Sequence, residues 1–140
     1  MIKLHFTIEI NATPEQVWAA LWTIENYHKW TSVFGEGSTV KSDWEQGSNI
    51  YFVDEKGNGM YSVIETKITN RQMTFKHLGE IMDGVEKDSS WSGSLENYVL
   101  TEANGITNLQ VDLDSTEEFQ EYFQEKFPQA LQFVKKISES

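Results

Sequence analysis

The sequence predicts an α+β domain in which a curved antiparallel sheet of about six or seven strands wraps around one long C-terminal helix, with two short helices after the first strand. Three observations predict it. Residues Ile2 to Ile10 alternate strictly between apolar and polar side chains. Residues 39–113 are broken by Gly, Asn and Asp into short β-rich runs. From Ser115 onward, apolar residues recur at steps of three and four.

In the opening run Ile2, Leu4, Phe6, Ile8 and Ile10 share one parity and Lys3, His5, Thr7 and Glu9 the other, which makes a strand with one buried face. Thr13-Pro14-Glu15-Gln16 then supplies an N-cap, a proline at the first helical position and a third-position side chain that can close a capping box. Val17, Trp18, Leu21 and Trp22 form the apolar face of that helix, residues 24–30 form a second short one, and no further strand is expected before about Thr39. The β-rich region holds five or six strands, with turns at residues 45–48, 55–59, 70–71 and 103–105. Asn104-Gly105 is the sharpest of these, because both central positions of a type I′ turn need positive φ. Residues 79–89 are expected to form a longer connection, its acidic part 80–88 being either disordered or placed at a binding mouth. The last helix starts at Ser115 and Glu118 in capping-box spacing and ends near Lys135 and Lys136, and Phe119, Tyr122, Phe123, Phe127, Ala130, Val134 and Ile137 line one face. Pro128 predicts a kink near Gln124 or a division into two shorter helices.

Composition bounds the function. A length of 140 residues with 39% apolar and 13% aromatic residues suits one domain, 1–140, with a sizeable core, and no repeat, linker or low-complexity tract divides it. The lack of cysteine removes disulfides, thiolate metal sites and thiol nucleophiles. Twenty-two acidic against eleven basic residues give a net charge of −11, which repels nucleic acid and anionic membrane surfaces. With neither a signal-peptide pattern nor a membrane-spanning run, a cytoplasmic location is expected.

The stretch Ile10-Asn11-Ala12-Thr13-Pro14-Glu15-Gln16-Val17-Trp18 resembles the opening signature of the START-like (SRPBCC) superfamily. Trp30, the run Asp43-Trp44-Glu45-Gln46-Gly47-Ser48-Asn49-Ile50, Met73-Thr74-Phe75-Lys76-His77 and Gly105-Ile106-Thr107-Asn108-Leu109 extend the resemblance along most of the chain. Within the superfamily, the sequence is similar to the branch of the activator of Hsp90 ATPase homologues. The resemblance implies the helix-grip fold and a deep cavity between sheet and long helix, which different members use for lipids, hormones or polyketides and some for cyclisation or dehydration. Co-chaperone members usually carry a further N-terminal domain, to which nothing in these residues corresponds.

Set in that fold, Trp30, Phe52, Phe75, Trp91, Phe119, Tyr122, Phe123 and Phe127 are the candidate lining of a pocket for a ring-bearing or acyl ligand, although each would serve equally in a packed core. His77 has the parity of Met73 and Phe75 and could face the same pocket as a base or hydrogen-bonding group, or sit near solvent beside Gly79. Glu96 shares parity with Ser92, Ser94 and Tyr98 and is read as lying on a solvated face rather than a pocket wall. Tyr51, Tyr61 and Tyr98 could donate hydroxyl hydrogen bonds. Three scattered histidines lack metal-site spacing, and Asp83, Glu86 and Asp88 lack the pattern of a calcium loop, so no metal and no cofactor is expected. The reading put first is a noncatalytic module that binds a small hydrophobic molecule. A cyclase- or dehydratase-type enzyme using His77 or Glu96, and a protein-interaction domain whose acidic surface meets a chaperone or other basic partner, are the alternatives.

Overall fold

The alternation in the first nine strand residues becomes β1 (Ile2–Ile10), whose Leu4 and Ile10 are buried while Lys3, His5, Thr7 and Glu9 are exposed. The structure, a computed structural model, describes residues 1–35 and 39–140. Thr13 caps α1 (Pro14–Trp22) through a complete capping box: its Oγ1 accepts from Gln16 N at 3.2 Å, and its own N–H donates to Gln16 Oε1 at 2.9 Å. A second helix, α2 (Ile24–Thr31), follows and ends in a short 3-10 turn (Ser32–Phe34).

Seven further strands complete the sheet: β2 (Thr39–Lys41), β3 (Asn49–Val53), β4 (Gly59–Ile68), β5 (Gln72–Met82), β6 (Val85–Lys87), β7 (Leu95–Ala103) and β8 (Ile106–Ser115). Their order is β1-β8-β7-β5-β4-β3-β2, every pairing is antiparallel, and β6 pairs with β5 off this path. The sheet is open, and α3 (Glu117–Glu139) lies against β1, α1 and α2. Among the described residues, no helix is long and apolar enough to cross a membrane.

Three expectations are corrected. The stretch 79–89 is not a loop: β5 runs to Met82, Asp83 and Gly84 turn with φ of 53° and 78°, and β6 returns along β5. Asp-Gly is a type I′ signal as good as Asn-Gly, and the surrounding acidity masked it. Ser115 ends β8, opposite Ile2, so the cap of α3 is Thr116 and the Ser115–Glu118 box does not form. Pro128 sits inside one unbroken 23-residue helix, which removes the alternative of two shorter helices. Residues 90–93 form a turn, so Trp91 and Ser92 precede the central strand instead of belonging to it. Asn104 and Gly105, with φ of 55° and 79°, make the hairpin turn their sequence predicts.

Two bulges shape the middle of the sheet. The register passes from Tyr61–Gly79 to Ser62–His77, leaving Leu78 extra in β5, and from Ile64–Phe75 to Thr66–Thr74, leaving Glu65 extra in β4. A bulge adds twist and re-aims the side chains beside it. Here it sets Ser62 opposite His77 on the inner face, beside Phe75 and Ile64.

The helix packs unevenly. Phe127 at its middle and Ala130, Leu131 and Val134 in its C-terminal half are buried, whereas Phe119 and Tyr122 near its start are 40% and 38% exposed. The last three turns of α3 therefore close the core against β1 and α1, and the first turns stand off the inner face of β3 to β7.

Candidate functional site

Beneath the first turns of α3 the inner face of the sheet borders a cavity of about 430 Å³, within the range of roughly 300–1,000 Å³ usual for small-molecule sites. Phe119, Tyr122, Phe123 and Phe127 descend from α3, Trp30 comes from α2, and Phe34 from the 3-10 turn. The sheet contributes Phe52, Met60, His77, Glu96 and Tyr98, and the turn before β7 contributes Trp91.

Eight of the nine candidate residues thus border one space. Phe75 is the exception. It is 1% exposed and lies behind the wall, with its ring centroid 5.5 Å from Trp22 and 5.4 Å from Phe52. Its strand parity points it inward, but Trp22 and Phe52 cover it, and parity says nothing of depth. Ala130 and Val134 of the helix face are likewise in the core and not on the cavity.

Three polar groups of the wall, His77, Glu96 and Tyr98, form one chain with Ser62 behind them. Ser62 Oγ lies 2.7 Å from His77 Nδ1, His77 Nε2 lies 2.9 Å from Glu96 Oε1, and the Tyr98 hydroxyl donates to Glu96 Oε2. With Glu96 as the carboxylate, the Nε2 proton is donated to it; a neutral ring then accepts the Ser62 hydroxyl proton at Nδ1, and a protonated ring donates at both nitrogens. The backbone fixes the imidazole too: His77 N donates to Ser94 O at 2.9 Å, and Gly93 N donates to His77 O at 2.7 Å. Phe52 and Trp91 flank the ring edge-on, at 5.9 and 6.5 Å between centroids.

His77 is 4% exposed, so the alternative of a solvated strand-end histidine does not hold. Glu96 corrects the solvated-face reading, because its side chain is 18% exposed and borders the cavity. That reading took Ser92, Ser94 and Glu96 as one polar strand face. Ser92 lies in the turn, and the parity that matters is Glu96, Tyr98, Leu100, which continues inward. Tyr51 and Tyr61 face each other on the opposite side of the sheet, away from the cavity lining. Sequence reasoning missed Ser62 and Tyr27. Ser62 carried a signal, a polar residue at the parity of Met60 and Ile64, whereas nothing marks Tyr27 apart from other helix-face aromatics.

Burial, and then the Glu96 charge beside it, holds the Tyr98 phenol well above the ordinary tyrosine range; the same two causes raise Tyr27. Ser62, His77 and Glu96 have the composition of a nucleophilic triad without its geometry. Ser62 is 0% exposed and off the cavity lining, and a nucleophile has to reach its substrate. Its hydroxyl instead orients the imidazole. Thr116 Oγ1, bordering the same cavity, is buried with no hydrogen-bond partner. Among the described residues, no group of three or more His, Asp or Glu is placed to hold a metal ion.

An open antiparallel sheet, a long C-terminal helix laid across it and an aromatic-walled cavity between them define a helix-grip protein. The chain belongs to the polyketide cyclase/dehydrase and lipid transport family, whose model matches residues 1–114. Solved structures with the same fold include the Aha1 dimer of Colwellia psychrerythraea, 22% identical with a TM-score of 0.76 over 99% of this chain and 97% of that one. CalU16 of Micromonospora echinospora is 17% identical, with a TM-score of 0.70 over 97% of this chain and 75% of its own. DynU16, a protein of the dynemicin biosynthetic locus, is 11% identical with a TM-score of 0.71; this chain spans 47% of its length. No curated protein matches the sequence.

Proposed function

We propose that this domain binds a small hydrophobic molecule between the sheet and the first turns of α3, and that the Ser62, His77, Glu96 and Tyr98 chain orients it. The observation that carries the reading is a cavity of about 430 Å³ with aromatic walls and a hydrogen-bonded polar cluster at His77 and Glu96. Aromatic burial supplies affinity at roughly 25 cal/mol per Å² of apolar surface removed from water, and the cluster supplies direction. Membership of a family described by cyclisation, dehydration and lipid transport supports the same class of ligand.

The test compares native and denaturing mass spectra of protein purified without detergent, then repeats the comparison with Met60→Trp. A small molecule held by the folded chain, released on unfolding and absent from the folded variant, is the expected result. Retention by the variant would move the ligand out of this cavity.

One feature favours a second reading as a cyclase- or dehydratase-type enzyme. His77 and Glu96 are paired at 2.9 Å on the cavity wall, where they could pass a proton to or from an occupant. This reading requires turnover with a pH-dependent rate and a loss of about two orders of magnitude in His77→Ala. A protein partner has as its support the fold likeness to the Aha1 dimer and the net charge of −11.

A further inference from the structure

We propose that the cavity takes organic ammonium compounds, an apolar ring body carrying a protonated amine, and rejects carboxylates built on the same body. The inference rests on the small-molecule reading above and specifies its ligand.

The cavity offers an anion no cationic partner. Its titratable side chains besides tyrosine are Asp54, Glu96, Asp114 and His77, and neither lysine nor arginine borders it among the described residues. Lys3, which holds Asp114 at 2.9 Å, is itself 83% exposed. His77 cannot substitute, because both ring nitrogens are already engaged, Nδ1 with Ser62 and Nε2 with Glu96. A carboxylate head would lose its hydration and find no counter-ion and no free imidazole donor.

An ammonium head meets the opposite conditions. Glu96 accepts one donor on each oxygen, from His77 and Tyr98, and a carboxylate has about four acceptor positions. The remaining ones belong to a side chain that is 18% exposed and borders the cavity. Tyr27, Phe52, Trp91 and Tyr98 border the same space, and aromatic rings attract a cation that reaches their faces. A protonated His77 would offset the charge of Glu96, yet both its ring nitrogens would stay engaged and Asp54 and Asp114 would remain on the lining; the unpartnered Thr116 hydroxyl is a donor there but a neutral one. The net charge of −11 adds a long-range field of the same sign.

Three probes with one apolar body test this: naphthylmethylamine, naphthylmethanol and naphthoate, titrated calorimetrically at pH 7 into the intact chain and into Glu96→Gln. The expected result is at least about tenfold tighter binding of the amine than of naphthoate. The gap should persist in about 1 M salt, where the screening length is about 3 Å and the overall field is removed. It should shrink about tenfold in Glu96→Gln. The ratio is read within each protein, so a general weakening of the variant cancels. Naphthoate binding as tightly as the amine in the intact chain overturns the proposal without reference to any variant, and so does a gap untouched by Glu96→Gln. Naphthylmethanol separates the two levels. Its binding without an amine preference removes this inference alone, and failure of all three probes removes the small-molecule reading as well.

Discussion

Tyr98 is 1% exposed and donates its hydroxyl to a carboxylate, so deleting that hydroxyl leaves Glu96 short of a donor while changing little volume. Tyr98→Phe should cost about 2 kcal/mol in a urea titration, the range for a hydrogen bond to a charged group. The raised phenol also sets a pH response. In the unfolded chain tyrosine ionises near pH 10, and in the folded chain Tyr98 and Tyr27 resist ionisation. Their contribution is complete below about pH 10 and is lost as the pH climbs toward the folded-state values. Stability should therefore hold level through neutral pH and fall above about pH 10, less steeply in Tyr98→Phe; phenolate absorbance during alkaline unfolding would check it. The same scale separates core from cavity. Phe75→Ala empties a fully packed site and should cost about 3–5 kcal/mol. Phe123, only partly buried on the cavity, should lose less stability to alanine and more probe affinity.

At the level of elements, alternation and capping chemistry made β1, α1 and the Asn104-Gly105 hairpin legible, because each is specified by neighbours in sequence. The β5–β6 hairpin was specified just as locally by Asp83-Gly84, and composition outweighed it. What sequence could not carry were contacts between strands. Leu78 and Glu65 look like ordinary strand residues, and only the pairing of β4 with β5 makes them bulges and turns Ser62 toward His77. Close approach is equally invisible: a Cβ on Gly59 would stand 1.9 Å from the Phe52 carbonyl oxygen. Gly59→Ala should consequently push β3 from β4 and cause early hydrogen exchange in both strands, ahead of β1 and β8. For α3, Pro128 leaves the Gln124 carbonyl without its helical donor. Pro128→Ala should raise the melting temperature, by up to roughly 3 kcal/mol in stability.

For the molecule as a whole, the cavity arises from a mismatch that no single element encodes. The C-terminal half of α3 is buried against β1 and α1, and this holds the aromatic first turns away from β3 to β7. Periodicity identifies which side chains turn inward; the distance between two inward faces depends on how both are seated. The α3 aromatics, Phe52 and His77 are thus legible from faces, whereas Trp91 borders the cavity from a turn, and Phe75 and Glu96 depart from their expected positions because depth and strand ends are not readable. The methionines give the most direct test of the cavity. The sequence has four, of which Met60 borders the cavity, Met73 is 1% exposed in the core, and Met1 and Met82 are exposed at 63% and 43%. In protein labelled at the methionine methyl groups, titration with naphthylmethanol should move the Met60 resonance with saturation while Met1 and Met82 stay in place. A saturable shift confined to Met1 or Met82, or no shift at any methyl, would contradict binding between the sheet and α3.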